Sequence, residues 1–242
     1  INGAGGTIGL ARFVGSHKGR GDSLMVSGLV MEGAILTNKS QVTLADTTPI
    51  ARLTGEYQVI AVTAGSPLKT MADLVAMLRK DVASVSWGGG SAGGTDHILA
   101  GLVAKAVGAD PKLISYVAHS GGGEAMASVL GGHTTVGVNG YAEFATYIKT
   151  GKLRVLGISS AERVAGIDGP TLREQDVNVA VTNWRGVVAA PGISDPDLAA
   201  LSAAVEKMAK SARWKELMVE RQWLDMYQPA AEFDVFMRAE RI

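Results

Sequence analysis

Cysteine is missing from the 242-residue chain, which removes disulfides, thiolate metal sites and a cysteine nucleophile together. Aromatic residues are scarce at 5%, and no Lys/Arg cluster stands out. A nucleic-acid groove needs a basic track interleaved with stacking rings, so no nucleic-acid partner is expected. Neither sign of charge is in excess, since Lys+Arg and Asp+Glu both number 23. No apolar run approaches the roughly 20 residues that cross a bilayer. The 4 histidines include no i, i+4 pair and no acidic cluster beside them, so no metal site is expected. No lysine stands where a phosphate loop requires one, so nucleoside triphosphate binding is not expected either. The chain opens on Ile1-Asn2-Gly3, without a methionine or a signal-peptide pattern, and reads as processed or truncated.

What the chain has in quantity is glycine: 31 residues, clustered at the ends of apolar runs. With 47% hydrophobic and 19% charged residues, it can bury a sizeable core. The densest glycine cluster lies in Val85-Ser86-Trp87-Gly88-Gly89-Gly90-Ser91-Ala92-Gly93-Gly94-Thr95-Asp96-His97. An apolar run enters it, and Ile98, Leu99, Leu102, Val103 and Ala106 leave it at helical spacing. Strand, glycine loop and helix start follow one another. That order aims unpaired backbone N–H groups and a positive helix end at one point, which suits an anion.

The rest of the chain repeats the theme. Asn2-Gly3-Ala4-Gly5-Gly6-Thr7 opens a helix, and Ser23–Gly28 is a short strand before a helix at Val30–Leu36. Ile50–Val62 reads as a strand with a bulge or turn at Gly55-Glu56. Thr70-Met71-Ala72-Asp73 is a capping box that starts a helix to Lys80. Strands are expected at Leu113–Val117, Thr134–Val138 and Leu153–Ile158, with helices through Met126 and from Tyr141 to Lys149, and a turn at Asn139-Gly140. Between 85 and 160 this is β-loop-α repeated, which implies a parallel sheet with right-handed crossovers. Ligands bind at the carboxyl edge of such a sheet. Val179–Ala190 is extended, and three helices, near 195–210, 211–222 and 229–240, finish the chain.

Two enzyme patterns compete for the central loop. Gly88-x-Gly90-x-x-Gly93 fits the dinucleotide fingerprint, but Asp110 lies before the next strand instead of at its end. Gly89-Gly90-Ser91-Ala92-Gly93 fits a nucleophile elbow, but no histidine lies in the last hundred residues. An NAD-dependent or serine-hydrolase enzyme therefore stays as the alternative to a binding protein. Loops rich in N–H groups, Ser, Thr and Asn on separate β/α segments favour holding a small anion unchanged. Charge-assisted hydrogen bonds of roughly 1.5–3 kcal/mol each would supply micromolar affinity, about 8 kcal/mol.

Trp87–His97 resembles the corresponding loop of the extracytoplasmic solute receptors of tripartite tricarboxylate transporters, the TctC/Bug type. Ser115-Tyr116-Val117-Ala118 with Gly121-Gly122-Gly123-Glu124-Ala125, Val138-Asn139-Gly140-Tyr141-Ala142-Glu143-Phe144, Ala165–Glu174 and Asn183-Trp184-Arg185-Gly186 continue the likeness over essentially the whole chain. The resemblance implies an α/β, two-domain periplasmic-binding-protein type II (flytrap) fold without catalytic activity or cofactor. It also implies a periplasmic monomer that closes on a di- or tricarboxylate and passes it to membrane transporter subunits. Family contacts carry over to Ser91, Ala92, Gly93, Gly94 and Thr95, to Asn139 on a second loop, and to Gly5, Gly6 and Thr7 in the first domain. Ser27 and Arg185 complete the candidate set. Domain I is expected at 1–62 with 186–242, and domain II at 63–185. The family's opening strand, glycine loop and helix have no counterpart here, so the fold is expected to be N-terminally incomplete.

Overall fold

The structure is a computed structural model and describes residues 3–240; Asn2, which opened the first glycine loop in the sequence reading, lies outside the described residues. In chain order the elements are α1 (Thr7–Ser16), β1 (Leu24–Gly28), α2 (Leu29–Thr37), β2 (Thr48–Thr63), α3 (Met71–Lys80), β3 (Ser86–Gly89), α4 (Thr95–Ala106), β4 (Ser115–Ala118), α5 (Gly122–Leu130), β5 (Val136–Gly140), α6 (Tyr141–Lys149), β6 (Leu153–Ile158), β7 (Thr182–Ala189), α7 (Asp195–Ala209), α8 (Ala212–Arg221), β8 (Leu224–Pro229) and α9 (Ala230–Glu240).

The chain forms two compact units: Tyr57–Asn183 is one, and the chain before Tyr57 together with that after Asn183 is the other. It passes between them within β2, at Glu56/Tyr57, and again within β7, at Asn183/Trp184. The sequence reading put these passages at 62/63 and 185/186.

In the central unit the strand order is β4-β3-β5-β2-β6. The β4, β3 and β5 strands run parallel, while β2 is antiparallel to both β5 and β6. The expected run of parallel neighbours is therefore interrupted, because β2 intercalates between β5 and β6. Both faces of this sheet are covered. Ile60 and Val62 of β2 join a core with Leu74, Trp87, Leu99, Val103 and Leu156. Val59 and Ala61, their neighbours of opposite parity, join Val129, Tyr141 and Phe144. A strand buried on both sides has no polar face to alternate with, which explains its nearly continuous apolar sequence. The α3 helix begins at the expected capping box: Thr70 Oγ1 accepts from Asp73 N at 3.2 Å, and Asp73 Oδ2 accepts from Thr70 N at 2.9 Å.

In the outer unit the order is β1-β7-β2-β8, with β1 antiparallel to β7 and β8 antiparallel to β2. One core packs Leu10, Phe13, Met31 and Ile35 around Trp184 and Phe233, and the indole meets Phe233 and Phe236 edge-on at 5.8 and 5.3 Å. A second core joins Ile50, Leu53, Val187 and Val205.

Three local expectations are corrected. Register shifts in β2 fall at Arg52/Thr54 and Ile60/Ala61, not at Gly55-Glu56. Asn139 and Gly140 are the last residues of β5 rather than a turn, held in register with Val59 and Gln58. A strand, β8, occupies the connection between the last two helices, where no strand was expected.

Candidate functional site

Three parallel strands of the central unit end at one edge: β3 at Gly89, β4 at Ala118 and β5 at Gly140. Each is followed by a helix, α4, α5 or α6. Their N-cap residues are Gly94, Gly121 and Gly140, and no side chain caps any of them. The outer unit repeats the arrangement, with Gly6 as N-cap of α1 and Gly28 as N-cap of α2, both again uncapped by a side chain. The α3, α7 and α8 helices instead have Thr70, Ser194 and Ser211 accepting from their own first turns. Glycine at an N-cap leaves the first-turn N–H groups pointing outward with the positive helix end behind them.

The central loop is more self-satisfied than a bare N–H cradle. Gly90 N donates to Asp96 Oδ2 at 2.8 Å, Gly93 N to His97 Nδ1 at 3.0 Å, and Gly94 N to Ser91 O at 2.9 Å. The first α4 amide bonded back along the chain is Ile98 N, to Gly94 O at 2.9 Å. The amides of Thr95, Asp96 and His97 precede it and have no acceptor within the helix. The amides of Gly90, Gly93 and Gly94 are thus already engaged within the loop, and Gly93 and Gly94 shape the approach to the first turn of α4. Gly93 adopts φ +77°, a left-handed conformation that glycine favours.

Around the loop the polar groups are fixed. Thr95, buried, donates its hydroxyl to Asn183 Oδ1 at 2.9 Å. The Tyr116 hydroxyl donates to Gly90 O at 3.0 Å, and its ring stacks on His97 with centroids 4.3 Å apart. Burial, reinforced by the Asp96 carboxylate, pushes the Tyr116 hydroxyl well above its ordinary pKa, so it remains a donor. Burial lowers the His97 pKa below 6.5, in keeping with an Nδ1 that accepts from Gly93 N. His119 N and Nδ1 both lie 3.0 Å from Gly89 O. Among the described residues Ser91 Oγ makes no hydrogen bond to a histidine, so nothing in the local geometry supports the nucleophile-elbow reading. Asp110 caps a short turn through Lys112 N at 2.9 Å, which removes it from the ribose role of the dinucleotide reading.

Asn139, at the end of β5, is 7% exposed. Its Oδ1 accepts from Gly140 N at 2.9 Å, while Nδ2 has no partner. In the outer unit Gly5 and Gly6 take left-handed φ of +61° and +96°. A Cβ on Gly5 would collide with Ala34 Cβ of α2, so the loop lies tight against that helix. The Thr7 hydroxyl turns back to Ala4 O at 2.9 Å, and Ser27 Oγ donates to Gly186 O at 3.4 Å. Arg185 pairs in register with Gly28, beside the start of α2.

The structure therefore brings Ser91, Ala92, Gly93, Gly94, Thr95 and Asn139 to one edge of the central unit, and gathers Gly5–Thr7 and the Ser27–Gly28/Arg185 pair around α1 and α2 of the outer unit. Sequence reasoning missed the parts that Asp96 and Tyr116 play at that edge, because their bonds to Gly90 depend on how β3 and β4 pair.

Among the described residues no helix is long and apolar enough to cross a membrane, and no group of three or more His, Asp or Glu is disposed to hold a metal. Residues 2–239 match the tripartite tricarboxylate transporter family receptor, TctC. The chain is 26% identical over 188 residues to a UPF0065 protein in the gbd 5' region of Cupriavidus necator, covering 77% of this chain and 56% of that protein. It thus spans little more than half the length of that relative. A TctC solute binding protein from Polaromonas shares 26% identity with a TM-score of 0.74, over 100% of this chain and 83% of that one. MatC from Rhodopseudomonas palustris, solved with bound malate, has 23% identity and a TM-score of 0.78, over 92% and 76%. The two-domain type II fold is that of the TctC solute-binding receptors. The chain belongs to the tripartite tricarboxylate transporter receptor family, TctC.

Proposed function

We propose that this chain is a periplasmic, monomeric receptor that captures a di- or tricarboxylate and delivers it to the membrane subunits of a tripartite tricarboxylate transporter. The observation that carries the reading is the set of five glycine-capped helices, α1, α2, α4, α5 and α6, beside three helices capped by their own side chains. Side-chain caps typically contribute about 1 kcal/mol over alanine, and glycine at these five starts leaves their amides open. Open N–H groups hold carboxylates through charge-assisted bonds, and each helix end adds about 0.3–1 kcal/mol. The malate bound to MatC, a structural neighbour, supports a carboxylate of this size. The Arg185 guanidinium supplies a cation among the outer-unit candidates. In this proposal the candidate ligand contacts are Ser91–Thr95 and Asn139 within Tyr57–Asn183, and Gly5–Thr7, Ser27 and Arg185 in the rest of the chain.

A thermal-shift screen of citrate, tricarballylate, malate and succinate tests the reading. Ligand at about 100 times its dissociation constant adds roughly 2.7 kcal/mol to stability, so a clear rise in melting temperature is expected. A flat response across di- and tricarboxylates overturns the reading.

A further inference from the structure

The start of α5 holds two polar groups that no contact within the chain explains. Asn139 is 7% exposed, and its Nδ2 has no hydrogen-bond partner. Its Oδ1 is committed to Gly140 N, which fixes the amide so that the unused atom is a donor. A buried donor left unpaired carries a desolvation cost that a bound acceptor removes. Glu143, three residues on in the first turn of α6, makes no hydrogen bond or ion pair among the described residues. Both side chains converge on Gly122, the first residue of α5: the space that a Cβ would need there is taken by Glu143 Oε2 and Asn139 Nδ2. Gly121, the N-cap of α5, is uncapped, and no heavy atom lies within 4 Å of its own Cβ position.

We infer that this corner is a hydroxyl subsite, and that the ligand is a hydroxylated carboxylate whose alcohol oxygen accepts from Asn139 Nδ2 and donates to Glu143. A single hydroxyl oxygen performs both roles, which neither a methylene nor a carboxylate does. A methylene leaves Asn139 Nδ2 unsatisfied. A carboxylate accepts from Asn139 but meets the like charge of Glu143, and it has no proton to donate. A carboxylate of the ligand then falls to the first turn of α4. The inference rests on the carboxylate-receptor reading above and adds to it the group that selects among carboxylates.

Calorimetric titration with two matched pairs tests it: malate against succinate, and citrate against tricarballylate, each pair differing by one hydroxyl. In the unaltered chain the hydroxylated member of whichever pair binds is expected to bind at least tenfold tighter. Glu143→Ala and Asn139→Ala are each expected to bring that ratio to within about twofold, while the unhydroxylated member binds no more weakly to Glu143→Ala than to the unaltered chain. Glu143 is solvent-exposed on its helix, so Glu143→Ala decides the matter even if Asn139→Ala fails to fold. Equal binding within both pairs, or a ratio that survives Glu143→Ala, overturns the hydroxyl subsite and leaves the carboxylate receptor standing. Absence of binding by all four compounds overturns both.

Discussion

His97 is a residue whose surroundings favour one protonation state. Gly93 N–H requires a lone pair on Nδ1, and burial of the ring opposes a second proton. Its folded-state pKa accordingly lies below the ordinary value of 6.5. A depressed histidine contributes stability that is complete above the unfolded value and is lost as pH falls from there through the folded one. The melting temperature of the unaltered chain should therefore fall more steeply as pH drops below 6.5 than that of His97→Asn, whose Oδ1 retains an acceptor for Gly93 but does not titrate. Parallel profiles would falsify the assignment of His97 as the loop's pH-sensitive group. The position of this histidine in a first helical turn was legible in the sequence, as was the Thr70/Asp73 capping box, because both depend on neighbours three or four residues away. The hold of Asp96 on Gly90 was not legible. It spans a loop whose path is set by β3 and β4 pairing Gly89 with Ala118.

At the scale of elements, the glycine N-caps exchange helix stability for an open turn. Gly121 gives the cleanest test, because its backbone is extended and a Cβ there meets nothing within 4 Å. Gly121→Ser should cap α5 and restrict the unfolded chain, raising stability by up to about 1 kcal/mol. The same change should weaken carboxylate binding, since the new hydroxyl takes an amide the ligand would use. A rise in melting temperature together with a higher dissociation constant is the expected pair of results. Higher stability with unchanged affinity would detach α5 from the site. Most helices were legible from spacing and from glycine boundaries, α6 to the residue at both ends. The β8 strand was not, because Leu224–Pro229 alternates weakly and becomes a strand through its pairing with β2. The place of β2 between β5 and β6 was hidden for the same reason: a strand flanked on both sides is chosen by partners distant in sequence.

At the scale of the molecule, the four apolar cores found among the described residues divide cleanly, two within Tyr57–Asn183 and two outside it. A segment that encloses its own cores should fold alone. Expressed as 57–183 it retains Trp87 as its only tryptophan, fully buried here. Blue-shifted emission that reddens in one cooperative step with urea is the expected behaviour. Red emission from the start, without a transition, would mean that the segment borrows its stability from the rest of the chain. The two-part organisation was legible because two extended stretches stood out as crossings. The passage itself is not marked in the sequence, since β2 runs through it as one strand of 16 residues.

That unbroken β2 has a consequence for how the molecule is assembled. The outer unit is built from the two ends of the chain, and its strands β7 and β2 are kept apart in sequence by the intervening segment. Joined through a disordered stretch of about 130 residues, they would lose entropy that grows with the logarithm of that length. Once 57–183 has folded, β2 and β7 emerge from it already fixed at its two ends, and most of that loss has been taken. The central unit then acts as a ready-made turn for the outer one. Refolding should proceed from the inside outward, with the emission change of Trp87 preceding that of Trp184.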